Sequence, residues 1–145
     1  MPFLLDTTAV SETRKPAPNR RYVSWLQQQR FEETYIGAPT IGELVQGVAP
    51  LKSTAERERI LKWTLSIIEN FEDRIMPLDA AAAQIWGEAM GDARRKGREL
   101  PIIDSQLAAI ALANGLAVVT RNVRHFDIPG FEGLKVISPW SGNSS

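Results

Sequence analysis

Three carboxylates stand where an α/β chain could use them: Asp6, Glu43 and Asp104. The chain has one histidine, His125, and no cysteine, which removes most nucleophile–histidine pairs and every thiolate metal site. Any chemistry must then come from acids. Asp6 ends the apolar run Phe3-Leu4-Leu5, Glu43 falls in the first turn of a helix that follows a strand, and Asp104 in the first turn of another. Ligands of open α/β sheets bind outside the carboxyl ends of the strands, and helix starts follow those ends, so Asp6 and Glu43 are expected at one edge. Asp104 joins them if its helix packs there after a long connection. Each acid also has a purely structural role open to it. Asp6 can cap a short helix at 9–12, Glu43 can partner Thr40 in a capping box, and Asp104 can complement a helix dipole.

The elements that must position these acids follow from periodicity and punctuation. Phe3-Leu4-Leu5 has no polar alternation, as in a strand buried on both faces of a parallel sheet. Pro16 and Pro18 make a loop, after which Asn19 can cap a helix to about Gln29 with Tyr22, Val23, Trp25 and Leu26 on its apolar face. Thr34-Tyr35-Ile36-Gly37 reads as a second strand. Thr40-Ile41-Gly42-Glu43 has the form of a capping box for the helix that follows, and Ser53-Thr54-Ala55-Glu56 repeats it at the start of a helix through Asn70. That second helix carries Ile60, Leu61, Trp63, Leu65, Ile67 and Ile68, a face wide enough for a partner as well as a core. A third strand is expected at 74–78, and Asp79 caps an alanine-rich helix that ends near Lys96 with Gly97 at its carboxyl cap. Pro101 starts a helix that stops at Asn114-Gly115, and strands are expected at 117–120 and 134–137. The alternation predicts an α/β fold with a mostly parallel five-stranded sheet flanked by helices.

Composition narrows the class. A chain of 145 residues with 43% hydrophobic and 23% charged residues suits one soluble globular domain with a substantial core. We expect residues 1–140 to form it, with a flexible polar tail at 141–145. Lys plus Arg equals Asp plus Glu at 17 each, so affinity for nucleic acid would have to come from local patches. No basic region precedes the first apolar run, so no signal peptide is expected. The longest apolar stretch, 107–119, is interrupted by Asn114-Gly115, so no membrane span is expected either. A cytoplasmic location is the expectation that fits the absence of cysteine.

Four stretches in order then carry a resemblance. Leu4-Leu5-Asp6-Thr7, Pro39-Thr40-Ile41-Gly42-Glu43-Leu44, Ile103-Asp104-Ser105-Gln106-Leu107-Ala108-Ala109-Ile110-Ala111 and Val118-Val119-Thr120-Arg121-Asn122 together resemble a PIN domain. More narrowly, the chain is similar to the toxins of VapBC-type toxin–antitoxin pairs, on their FitB-like branch. Ser11-Glu12 and Pro139-Trp140 extend the likeness over nearly the whole chain. The resemblance implies a PIN-like three-layer fold and a ribonuclease dependent on Mg²⁺ or Mn²⁺. It implies a cognate antitoxin that inhibits the enzyme, an RNA substrate and a homodimer. Asp6 and Asp104 match the family's metal-binding acids, and Glu43 matches a second acid that positions water. Hard divalent cations take oxygen ligands, so the residue types agree.

One position departs from the pattern. The family's fourth acid falls at Asn122, which offers a neutral amide oxygen; we count Asn122 with the catalytic set and expect one tightly held ion rather than two. Arg121, with Thr7 and Thr120 from the same motifs, is expected to contact substrate, since Arg121 directly follows a strand end where RNA backbone would pass. The basic run Arg94-Arg95-Lys96-Gly97-Arg98 can serve the same purpose or simply complement a helix dipole. His125 reads as a solvated loop residue more readily than as a general base. A haloacid-dehalogenase-like phosphatase would need a second aspartate where Thr8 stands. The remaining alternative is a catalytically weak PIN-fold binding module, acting through its antitoxin or other partners without cutting RNA.

Overall fold

The computed structural model describes residues 2–141. In chain order it runs β1 (Phe3–Leu5), α1 (Thr7–Glu12), α2 (Arg20–Gln27), β2 (Thr34–Gly37), α3 (Ala38–Gln46), α4 (Thr54–Phe71), β3 (Ile75–Met76), α5 (Ala80–Arg95), α6 (Ile102–Asn114), β4 (Ala117–Val119) and β5 (Val136–Ile137). The strands form one sheet in the order β3-β2-β1-β4-β5, and every pairing is parallel. The sheet expected to be mostly parallel is therefore wholly so.

Strand β1 lies at its centre, with Leu5 in register with Ile36 on one side and Val119 on the other. Successive side chains of a strand point to opposite faces. Leu4 accordingly joins Leu107, Ile110 and Val118 under α5 and α6, while Leu5 joins Val10, Tyr22, Ile36 and Phe71 under α1, α2 and α4. Both leucines are buried, each contributing roughly 1.5–3 kcal/mol. This explains why the run shows no alternation. Trp140 closes the second face, stacked on Tyr22 with ring centroids 4.2 Å apart.

The winding sets where a site can form. From β1 the chain moves outward through β2 to β3, then α5 and α6 carry it back to β4 on the other side of β1. The strand order reverses there, and the crevice at such a reversal lies outside the carboxyl ends of β1 and β4. Helix α6 packs very close to the sheet. A Cβ added at Gly37 would lie 2.5 Å from Leu107 Cδ2, so glycine lets the helix approach.

Several expected details differ. Helix α3 starts at Ala38, with Gly37 in the capping position and no side-chain cap. Strand β2 runs directly into the helix, so Thr40 stands inside the first turn rather than ahead of it. Its buried hydroxyl meets that of Thr7 at 3.1 Å, and the capping box expected at Thr40 and Glu43 does not form. The second box forms in part, Ser53 Oγ accepting from the Glu56 N–H at 3.3 Å. Helix α2 stops at Gln27, and β3, β4 and β5 are each shorter than expected; at β3, Pro77 has no N–H to extend the ladder. Of the wide α4 face, Ile60 and Phe71 are buried while Leu61 and Leu65 stay exposed, Leu65 at 62%. Beyond Ser141, whose N–H and hydroxyl both donate to the Ser138 carbonyl, the expected tail lies outside the described residues.

Candidate active site

Asp6 is both a cap and a member of a cleft. Its Oδ1 accepts from the Ala9 N–H at 2.9 Å, starting α1, and from the Thr8 hydroxyl at 2.6 Å. Its own N–H donates to the Val119 carbonyl at 3.0 Å, so β1 and β4 stay joined up to the acid itself. The residue is only 2% exposed. Burial pushes its carboxyl above the ordinary value, against opposing hydrogen bonds from Thr120, Thr8 and Ala9 and the charge of His125.

Asp104 stands in the first turn of α6, which has no side-chain cap of its own. Burial, then the neighbouring charge of Asp6, pushes its carboxyl up to about 6; Glu43 adds to the rise and His125 opposes it. An acid that served only a helix dipole would be favoured in its charged form. Here the charged form is disfavoured, first by burial and then by the charges of Asp6 and Glu43, the opposite of what a dipole partner alone would show. The next residue, Ser105, is fully buried, accepting from Trp86 Nε1 at 2.9 Å and donating to the Ile102 carbonyl at 3.0 Å. That pair fixes the turn on which Asp104 sits.

Asp6, Glu43 and Asp104 line one cleft of about 440 Å³, with Thr7 and Arg121. The structure thus brings together the three acids and two of the expected substrate contacts. Thr120 is placed differently: fully buried, it hydrogen-bonds Asp6 and accepts from the Asn122 N–H at 3.2 Å. Asn122 is not among the residues lining the cleft. Its Oδ1 accepts from the Arg124 N–H at 3.1 Å, capping the 3₁₀ turn Val123–Phe126, and its Nδ2 lies 3.4 Å from His125 Nε2. The basic run stands apart too, Arg95 and Lys96 both pairing with Asp92 on their own helix.

Five further residues line the cleft that the motifs did not single out for chemistry: Thr8, Ser11, Glu12, Lys15 and His125. Thr8 accepts from the Arg121 N–H at 3.0 Å while donating to Asp6, a link between residues 113 apart in the chain. Only the three-residue spacing of Glu12, at the end of α1, and Lys15, in the turn that follows it, could have signalled that pair. Among the described residues, no three Asp, Glu or His side chains converge closely enough to enclose a metal ion unaided.

The family model for the PIN domain matches residues 3–130. The chain is 35% identical over 140 residues to Toxin FitB of Neisseria gonorrhoeae, covering 95% of this chain and 98% of that protein. It is 31% identical over 140 residues to VapC ribonuclease Y4jK of Sinorhizobium fredii, covering 95% and 97%. Among solved structures, one of FitAB bound to an IR36 DNA fragment superposes with a TM-score of 0.81 at 32% identity, covering 96% of each chain.

Proposed function

The chain belongs to the PIN-domain family, and on that premise we propose that it is a VapC-type toxin, a hydrolase that cuts RNA and is inhibited by a cognate antitoxin. The observation that carries this reading is the convergence of Asp6, Glu43 and Asp104 in one cleft at the reversal point of the sheet, with two of the three carboxyls pushed up. Charge of one sign gathered at a destabilising position calls for a cation or a phosphate-bearing ligand that brings one.

The donor set fits Mg²⁺ or Mn²⁺. Asp6 and Asp104 offer hard oxygens, and a small divalent ion held by one or two carboxylates keeps several waters, so it needs no full protein cage. When bound, such an ion supplies charge neutralisation at a phosphodiester and a water of lowered pKa. The remaining roles belong to the chain. Thr8, Thr120 and the Ala9 N–H hold the Asp6 carboxylate in place, and the Trp86–Ser105 hydrogen bond holds the turn that carries Asp104. Glu43, exposed in the cleft and free of any capping duty, is the group to orient water and accept its proton. Arg121 and Thr7 take the RNA backbone. Asn122 acts through His125, whose turn it caps. We assign residues 1–140 to a single domain and the exposed Leu61 and Leu65 of α4 to a homodimer or antitoxin contact. Among the described residues, no helix is long and apolar enough to cross a membrane, and we place the protein in the cytoplasm.

The purified chain is expected to cleave RNA with Mg²⁺ or Mn²⁺ and to stop when chelator is added. Asp104→Asn should lower the rate by orders of magnitude. Cleavage that persists undiminished in chelator and in Asp104→Asn would overturn the reading and leave a PIN-fold binding module.

A further inference from the structure

The charges around the cleft sort into two groups. Asp6, Glu43, Asp104 and His125 act on one another, whereas Glu12 responds to Lys15 and Arg121. Glu12 is 4% exposed and both of its oxygens are engaged: Oε1 accepts from Lys15 Nζ at 2.9 Å and Oε2 from the Asn19 N–H at 2.8 Å. Burial works against its ionisation, yet Lys15, the Asn19 N–H and the charge of Arg121 together hold it below the ordinary range. Glu12 is thus a charged anchor with each of its oxygens already engaged by a donor. Lys15 is half-exposed at 46%, lines the cleft, and carries three donors of which Glu12 takes one.

Arg121 is built in from both sides. Its N–H donates to Thr8 Oγ1 at 3.0 Å and its carbonyl accepts from Ser138 Oγ at 3.3 Å, so the backbone under the exposed guanidinium is pinned to α1 and to the segment after β5. Two cations and one buried anion leave this group net positive, beside a group of three acids. An exposed Lys–Glu pair contributes little to stability, and burying the acid adds a desolvation cost. Simple neutralisation of Glu12 does not call for a second cation or for leaving the ammonium in the cleft.

Resting on the nuclease reading above, we propose that Lys15 and Arg121 form a phosphate subsite that takes the phosphodiester next to the one at the acids, with Glu12 as the residue that positions Lys15. Among the described residues, no Phe, Tyr or Trp lines the cleft, and its one imidazole, His125, belongs with the acids, so this subsite grips backbone and not bases. The substrate it implies is a single strand that continues past the scissile bond, read without preference for the base at the adjoining nucleotide.

Binding can be measured apart from cleavage. In Asp104→Asn without metal, a short single-stranded RNA of mixed sequence is titrated at several salt concentrations. Adding Lys15→Gln should weaken binding about equally for all sequences and lower the slope of log affinity against log salt by about one. Glu12→Gln adds net positive charge, so unaided electrostatics would tighten binding, whereas loss of Lys15's anchor should leave it no tighter. In the active chain, Lys15→Gln should raise KM for a long RNA with kcat kept, and leave a dinucleoside monophosphate, which has no adjoining phosphate, unaffected. Unchanged affinity and salt slope in Lys15→Gln would overturn the subsite while the nuclease stands, as would intact RNA binding with loss of antitoxin binding alone. A parent chain that neither binds nor cuts RNA would take the nuclease reading down with it. If Glu12→Gln fails to fold, Lys15→Gln alone decides.

Discussion

Asp6 and Asp79 do the same thing to the backbone and differ in everything else. Each follows a parallel strand and starts a helix, Asp6 accepting from Ala9 N–H at 2.9 Å and Asp79 from Ala82 N–H at 3.0 Å. Asp79 stands beyond β3 at the sheet's edge, exposed to water. Asp6 stands beyond the central strand, where the loops after β1 and β4 meet, and is 2% exposed beside Thr120 and within range of Asp104. Local geometry therefore does not distinguish a cap from a site. What distinguishes them is position in the winding: the edge strand has a neighbour on one side only, while the reversal point gathers helix starts and loops from both.

Substitutions that keep the cap and remove the charge should separate the two most sharply. Asparagine caps helices about as well as aspartate. Asp6→Asn is therefore expected to fold normally and to lose RNA cleavage by orders of magnitude, while Asp79→Asn cleaves as the parent does; equal activity in both variants would erase the distinction. Removing the cap itself is the smaller effect. Asp79→Ala should lower unfolding free energy by about 1 kcal/mol with cleavage per folded molecule unchanged. A loss of activity there, beyond the loss of folded protein, would mean the edge helix serves the site.

The same contrast explains how much could be read from the chain alone. The strand at Phe3–Leu5 with Leu4 and Leu5 buried on opposite faces, the strand at Thr34–Gly37, the caps at Asn19 and Asp79 and the glycine stop at Gly115 all depend on neighbours a few residues away, and they stand where expected. The placement of Asp6 at a strand end and of Asp104 at a helix start declares itself locally, whereas their membership of a site was legible only through the resemblance carried by the motifs around them. Glu43 looked like half of a capping box because nothing local shows that β2 enters α3 without a linker, which leaves Thr40 inside the helix and its hydroxyl on Thr7. The cleft roles of Thr8, Glu12, Lys15 and His125 need α1 and the turn after β4 to meet across the sheet. No periodicity in either segment encodes that meeting.

The most direct measurement of the central claim is chemical unfolding of the parent, Asp104→Asn and Asp79→Asn, with and without Mg²⁺, at about pH 7.5 and about pH 5. The Asp104 carboxyl is raised to about 6 in the folded protein, from an ordinary value near 4. The folded state thus holds the proton to higher pH than the unfolded chain, so stability falls as pH rises through that window and the penalty is complete above it. Without metal at about pH 7.5, Asp104→Asn should be at least as stable as the parent, and the gap should shrink towards about pH 5. Mg²⁺ at a hundred times its dissociation constant should stabilise the parent by about 2.7 kcal/mol at the higher pH, less at the lower, where protons compete for Asp104. Asp79→Asn should respond to the ion as the parent does, and Asp104→Asn should respond less. A clear loss of stability in metal-free Asp104→Asn at the higher pH, with no response of the parent to Mg²⁺, would contradict the account and return Asp104 to the ordinary duty of an acid at a helix start.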